Sequence, residues 1–339
     1  MHLREKLKKP KFFLKGIATY LPAGISRFLP RHQRQFEGRG LRAYAGKSQV
    51  ARGYYSVWMR TLSMLHEHGA LGRIETVGEI GPGDSIATGI AMLLSGANRY
   101  IGLDIVPTAH NFNNEEILDE MIELFKGREP IPDNAEYPKS RPYLSSYAFP
   151  SPILTEEKLA ELLSDERIGH IRQAIRTMQS GKGADPQNPI RIEYLVPWTD
   201  AEVIRDCEQT IDLIISSAAM EHVDDVPLAY ASAARLLAPE GIIVSTIDYK
   251  GHDSAGLWNG HWAYGDASWR LVRGKTSYFI NRWSHSMHLE ELRKLFTVVK
   301  DVRFLRENQL APEDIALRFR ALPATDFETS EGFIIARKK

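Results

Sequence analysis

The feature that most constrains this 339-residue chain lies between Thr76 and Asp104. Thr76 to Ile80 reads as a short apolar strand, Gly81-Pro82-Gly83-Asp84 as a turn, Ser85 to Leu94 as a helix, and Tyr100 to Asp104 as a second strand ending in an acid. A strand that returns through a helix lies parallel to its predecessor, so the unit starts a parallel sheet flanked by helices. Its glycine turn also has a functional meaning. Glycine has no side chain and accepts unusual dihedrals, so the backbone at such a turn can approach a ligand closely.

The rest of the sequence extends the same plan. Tyr54 to His68 has apolar residues at helical spacing and leads into a glycine-containing turn. Ile190 to Val196, Ile211 to Ser217 and Gly241 to Asp248 are β-branched runs of buried-strand length, with helices expected at Ala201 to Arg205 and Val226 to Leu237. Phe296 to Leu305 and Glu331 to Lys338 would close the sheet as a hairpin. The expected fold is therefore α/β: a doubly wound, Rossmann-like sheet of seven strands, mostly parallel, with a C-terminal antiparallel pair. Two additions are expected, a basic N-terminal arm (1–50) and an insertion (107–188) in the body at 51–339. The insertion interrupts the chain after the second strand, where one helix and two turns would suffice. Ligands of open α/β sheets bind at the carboxyl edge, so the insertion is expected to cap that edge.

Composition excludes several classes of function. Lys plus Arg and Asp plus Glu both number 43, so no basic excess points to nucleic acid. A lone cysteine, Cys207, allows neither an internal disulfide nor a cysteine-cluster metal site, which fits a reducing, cytoplasmic compartment. No stretch is long and apolar enough to span a bilayer. The first 40 residues nonetheless hold ten Lys or Arg against Glu5 and Glu37, interleaved with apolar residues. Such an arm either packs on its own domain or touches an anionic membrane surface from the inner face.

The chemistry narrows in three steps. Glu79-Ile80-Gly81-Pro82-Gly83-Asp84 departs from the dinucleotide pattern, and Pro82 between the glycines suits a pyrophosphate poorly. Asp104, about 20 residues further on at the end of the next strand, can accept both hydroxyl protons of a ribose. The third element is IDLIISSAAMEHVDDVPLAYASAARLLAPEGIIVSTID, which resembles the region after the fourth strand in class I S-adenosylmethionine-dependent methyltransferases. More narrowly, GPGDSIATGIAMLLSGANRYIGLDIV, SAAMEHV, DYKGH and INRWSHSMHLEEL resemble bacterial methyltransferases associated with surface-glycan biosynthesis.

That resemblance implies S-adenosyl-L-methionine as cofactor and a small-molecule or carrier-linked glycan as acceptor. Around the cofactor it places Glu79, Gly81, Pro82, Gly83, Asp84, Ser85, Asp104, Trp198, Ser216 and Ser217, with Pro197 and Thr199 beside Trp198 as further candidates for the adenine contact. Two departures stand out: the third glycine of the turn is absent, and no acid-alanine pair precedes the fourth strand.

Methyl transfer to an alcohol needs an in-line geometry and a group to take the proton. His222 follows the fourth strand and His252 the fifth, and Asp248 could orient an imidazole or act as the base itself. Asp248, His252, Asp253 and His285 are also metal-binding residue types, but their spacing matches no ligand motif, so no metal is expected. The aromatic region Trp258 to Trp283 suits either a sugar-binding wall or a satellite core, and Tyr54, Tyr55 and Trp58 either close over the cofactor or pack. The resulting expectation is O-methylation of a sugar or glycan. The alternatives are a lipid or quinone methyltransferase and a catalytically silent binding module.

Overall fold

The computed structural model describes residues 10–20, 47–111 and 113–339. Most of the expected basic arm therefore lies outside the described residues, apart from a helix at Pro10–Ala18 (α1). A long helix, Lys47–Glu67 (α2), leads into strand Thr76–Ile80 (β1), helix Ala87–Leu94 (α3) and strand Arg99–Leu103 (β2). The insertion contributes Asn114–Lys126 (α4), Glu156–Leu162 (α5) and Asp165–Gln179 (α6) before strand Arg191–Leu195 (β3). Helix Ala201–Ile204 (α7), strand Ile211–Ser217 (β4), helix Val226–Leu236 (α8) and strand Leu237–Asp248 (β5) follow. Helices Asp266–Arg273 (α9) and His285–Leu295 (α10) then lead to Phe296–Leu305 (β6) and Thr329–Lys338 (β7).

The seven strands form one sheet in the order β3-β2-β1-β4-β5-β7-β6, with β1 to β5 parallel and β7 antiparallel to both β5 and β6. The expected Rossmann-like sheet with its closing antiparallel pair is therefore present. Its chemistry follows from the period of two. On β4, Leu213 and Ile215 join the core on one face while Ile214 joins that on the other; on β5, Ile242 and Val244 alternate with Ile243 and Ile247 in the same way. Each such fully buried aliphatic side chain stabilises the fold by roughly 1.5–3 kcal/mol, so both faces must be covered by helices.

Because β1 lies between β2 and β4, the chain leaves β1 towards one side of the sheet and returns to the other side after β3. A crevice opens at the carboxyl ends of the strands where the order reverses. The insertion divides its work around that crevice. Helix α4 packs on α2 and α3, and α6 runs along β3, so the helical part thickens the flank of the sheet. Of the insertion's described residues, Thr108 and 136–141 line the crevice.

Candidate active site

A cavity of about 1830 Å³ occupies the carboxyl edge of the sheet. Ligand sites usually measure roughly 300–1,000 Å³, so there is room for a nucleotide-sized cofactor and a second molecule side by side.

Its inner end is built from β1 and β2. The N–H of Gly81 donates to the Leu103 carbonyl at 2.9 Å, which fixes the turn against the end of β2. Gly81 and Gly83 have φ of 69° and 70°, the left-handed region that favours glycine. A Cβ on Gly81 would also lie 2.7 Å from that of Ala219, so this turn and the one after β4 meet without room for a methyl group. Glu79 is buried at the end of β1 and accepts from the Tyr100 hydroxyl at 2.8 Å. Burial pushes its carboxyl up to about 7, against the opposing hydrogen bonds of Tyr100 and Thr88. Asp104 is also largely buried, and its Oδ1 accepts the backbone N–H of Ile105 at 2.7 Å. Burial raises it as well, with the backbone N–H groups working the other way.

The glycine missing from the turn has a counterpart inside α3. A Cβ on Gly89 would lie 2.4 Å from the Tyr100 ring, so its absence lets helix and strand pack closely, which is what a third glycine provides in nucleotide-binding turns. The stretch where that glycine was expected is pinned instead by Asn114 of the insertion. Its Oδ1 accepts from Ser85 Oγ and the Ile86 N–H, and its Nδ2 donates to the Ala109 carbonyl. Ser85 Oγ in turn accepts the Ala87 N–H at the start of α3.

Of the residues expected around the cofactor, Glu79, Gly81, Pro82, Gly83, Asp84, Asp104, Trp198 and Ser217 line the cavity, as does Thr199. Ser85, Ser216 and Pro197 do not. Ser85 is buried as part of the Asn114 network, and Ser216 is buried within the sheet. Thr88 was missed by the sequence reading, because only the folded chain brings the first turn of α3 back over Glu79.

The outer end is made by the turn after β4, by 136–141, and by 270–278. His222 lines the cavity, and its Nδ1 lies 2.8 Å from the Tyr278 carbonyl oxygen. A carbonyl only accepts, so Nδ1 carries a proton. Asn281 holds this turn in place. Its Nδ2 donates to the carbonyls of Met220 and Val223, and its N–H to that of Glu221. Asn281 is thus a clamp on the His222 turn.

Behind His222 stands His252, with the two ring centroids 5.3 Å apart. His252 Nε2 lies 3.1 Å from Asp248 Oδ2. Burial would raise Asp248, yet the bond and charge of His252, together with Lys250, outweigh it and hold the carboxyl below its usual range. Neither Asp248 nor His252 lines the cavity. Glu221, one residue before His222, is 3% exposed and lies with Asp248 and His252 in one cluster, their ligand-type atoms all within 4.8 Å. Asp253 is not in that cluster, and His285 is bonded elsewhere, to Tyr249 and Asp301.

The aromatic region is packed rather than forming a wall, Trp262 in the core on one face of the sheet and Tyr264 and Trp269 in a small satellite core. Trp262 is fully buried and donates from Nε1 to the Arg282 carbonyl, Trp258 donates to that of Glu307, and Trp269 lies beneath the Arg282 guanidinium. Tyr278 alone of the aromatic residues singled out there reaches the cavity. On α2 the outcome is similar. Tyr54 lines the cavity, whereas Tyr55 and Trp58 are buried and bond to the Glu129 carbonyl and Ser95 Oγ.

The model of a family described as a methyltransferase domain matches residues 75–298, more than half of the chain. No curated protein matches the sequence. Among solved structures, the chain is similar to an S-adenosylmethionine-dependent methyltransferase from Mesorhizobium loti, at 13% identity and a TM-score of 0.37, covering 81% of this chain and 95% of that one. It is also similar to a protein described as a sarcosine dimethylglycine methyltransferase from Galdieria sulphuraria, at 13% identity and a TM-score of 0.42, covering 86% and 87%.

Proposed function

The chain belongs to the methyltransferase-domain family, and from that premise we propose that it transfers the methyl group of S-adenosyl-L-methionine to a hydroxyl oxygen of a sugar or carrier-linked glycan. The observation that carries the donor is the inner end of the cavity. Two buried carboxylates at the ends of adjacent strands, Glu79 and Asp104, flank a glycine turn whose backbone is open to the ligand. A sulfonium with an amino-acid tail and a ribose asks for that lining, with negative charge near the cation and an acceptor for the ribose hydroxyls.

The acceptor oxygen arrives from the outer end, where His222 is the residue at the wall suited to take its proton, with the Asp248–His252 pair behind it. Support for a glycan comes from the likeness of the GPGDS, SAAMEHV, DYKGH and INRWSHSMHLEEL segments to methyltransferases of surface-glycan biosynthesis. The cationic rim fits a carrier phosphate. Lys139, Arg270 and Lys275 line the outer end and have no ion pair among the described residues, whereas Arg141 pairs with Glu331 and Arg273 with Asp224. The test is transfer of labelled methyl from S-adenosylmethionine to nucleotide sugars and to lipid-linked saccharides. Label in either supports the reading, and label confined to quinones or phospholipids overturns the glycan acceptor.

One observation favours contact with a membrane surface during that reaction. Leu14 (64% exposed), Ile17 and Tyr20 project from the α1 segment, and Leu271 from α9, beside Lys11, Lys15, Arg270 and Lys275. The two helices cross where Gly16 meets the Leu271 and Val272 carbonyls, so this apolar and basic patch sits at the cavity mouth, which Tyr20 itself lines. Such a surface suits an anionic bilayer. Sedimentation with anionic but not neutral liposomes, lost at high salt, is the expected result, and equal recovery in both supernatants would remove the contact. Among the described residues no helix is long and apolar enough to cross a membrane.

A further inference from the structure

We propose that Glu221, Asp248 and His252 bind one divalent cation, of the Mn2+ class, beside the acceptor end of the cavity. The inference goes beyond the transfer reaction and does not depend on the identity of the acceptor.

Three observations carry it. The first is convergence: the turn after β4 and the end of β5 with its following turn place two carboxylates and an imidazole with their ligand atoms within 4.8 Å of one another. The second is an unmet demand. Glu221 is 3% exposed, and neither of its carboxylate oxygens has a hydrogen-bond partner of good geometry, the backbone N–H groups of Glu221 and Asp248 lying near without satisfying them. Buried polar atoms are ordinarily paired, and protonating Glu221 would serve only one of its two oxygens, through an O–H shared with Asp248. A cation between Glu221 and Asp248 satisfies the orphaned oxygens and removes the repulsion of two adjacent carboxylates. The third is rigidity on both sides. Asn281 holds the Glu221 turn by three hydrogen bonds, and His252 and Asp253 are fixed in the left-handed region at φ 42° and 62°. Non-glycine residues sit there at a cost, and such strain gathers where side chains must be aimed.

Lys250 is the competing cation. Its Nζ lies 3.1 Å from Asp248 Oδ2, but it also pairs with Glu331, so it keeps a partner if Asp248 turns to a metal. Two carboxylates and one imidazole form a mixed oxygen and nitrogen set, suited to Mn2+ better than to Mg2+, which prefers oxygen throughout. The cluster adjoins His222 at the cavity wall. Glu221, Asp248 and His252 do not themselves line the cavity, so a cation there would act through His222 rather than on an acceptor oxygen directly.

The test uses the full chain, stripped with a chelator and titrated with Mn2+ while the free-ion paramagnetic resonance signal is followed. One Mn2+ per chain should be taken up, and Glu221→Gln and His252→Ala should each weaken uptake at least about tenfold. S-adenosylmethionine affinity should stay the same in both variants, which separates loss of the metal from loss of the fold and from failure of the donor site. His252 is partly exposed, so its variant reports on the site even if Glu221→Gln folds poorly. No Mn2+ uptake by the unaltered chain, or unchanged uptake in the folded His252→Ala chain, overturns the proposal.

Discussion

The two ends of the cavity are built on different principles. The inner end is made of strand ends and a turn contiguous in sequence, with Glu79, Gly81, Gly83 and Asp104 all lying within 79–104. It depends on backbone geometry and on two buried acids. The outer end gathers 136–141, His222 and 270–278, along with Tyr20 from an arm that crosses α9. It depends on side chains, several of them cationic, and on distant clamps such as Asn281. A donor common to a whole family can be served by a fixed local motif, whereas an acceptor particular to one enzyme is read by loops that vary on the same scaffold.

The largest effect should come from the inner end. Asp104→Ala removes the expected ribose acceptor and should weaken S-adenosylmethionine about 100-fold, the equivalent of roughly 3 kcal/mol for two hydrogen bonds to a charged group. Lys275→Ala at the outer end should leave that affinity unchanged. Equal losses in the two variants, read by calorimetry, would erase the division.

Gly81→Ala and Gly83→Ala sharpen the same point. Both positions share a left-handed backbone, but only at Gly81 would the new methyl collide, 2.7 Å from the Ala219 Cβ, while nothing lies within 4 Å at Gly83. The Gly83 variant should cost about 1–2 kcal/mol from backbone strain and the Gly81 variant clearly more, as a lower unfolding midpoint and weaker donor binding. A comparable effect is expected from Asn114→Ala. It leaves the Ile86 N–H and Ser85 Oγ short of a partner and should lower stability by about 1–3 kcal/mol in chemical denaturation.

The smallest effect is a pH dependence. With its pKa at about 7, Glu79 is largely protonated at pH 6 in the ligand-free chain. A cationic donor favours the carboxylate, so binding releases a proton and affinity should rise several-fold between pH 6 and pH 8, by less than tenfold per unit. Folding stability of the ligand-free chain has the opposite sign. The folded state holds this proton more tightly than the unfolded one, so the contribution is fully present below about 4.5 and lost as pH rises through about 7. An affinity flat across that range, or rising towards acid, would remove Glu79 from the account.

What could be read from the sequence follows the same division. Alternation on β4 and β5, the glycine turn and the acid at the end of β2 are local patterns, and each of them is where it was expected. The function of Gly89 was not legible, because it rests on contact with Tyr100 across the helix–strand interface. Nor was that of Asn114, which is 28 residues from the Ile86 N–H it accepts. Tryptophan content could not distinguish a binding wall from a satellite core, since Trp262 and Trp269 meet their partners only after α9 and the segment around Arg282 come together. The meeting of Glu221 with Asp248 and His252 was not legible either, because Glu221 is far from them in sequence and only adjacent parallel strands bring them together.

The central claim is that the acid-flanked glycine turn holds S-adenosylmethionine. Calorimetric titration of that molecule into the full chain at pH 8 tests it most directly. The account predicts a saturable heat with one site per chain, and the absence of any binding heat, with no shift in unfolding temperature, would contradict it.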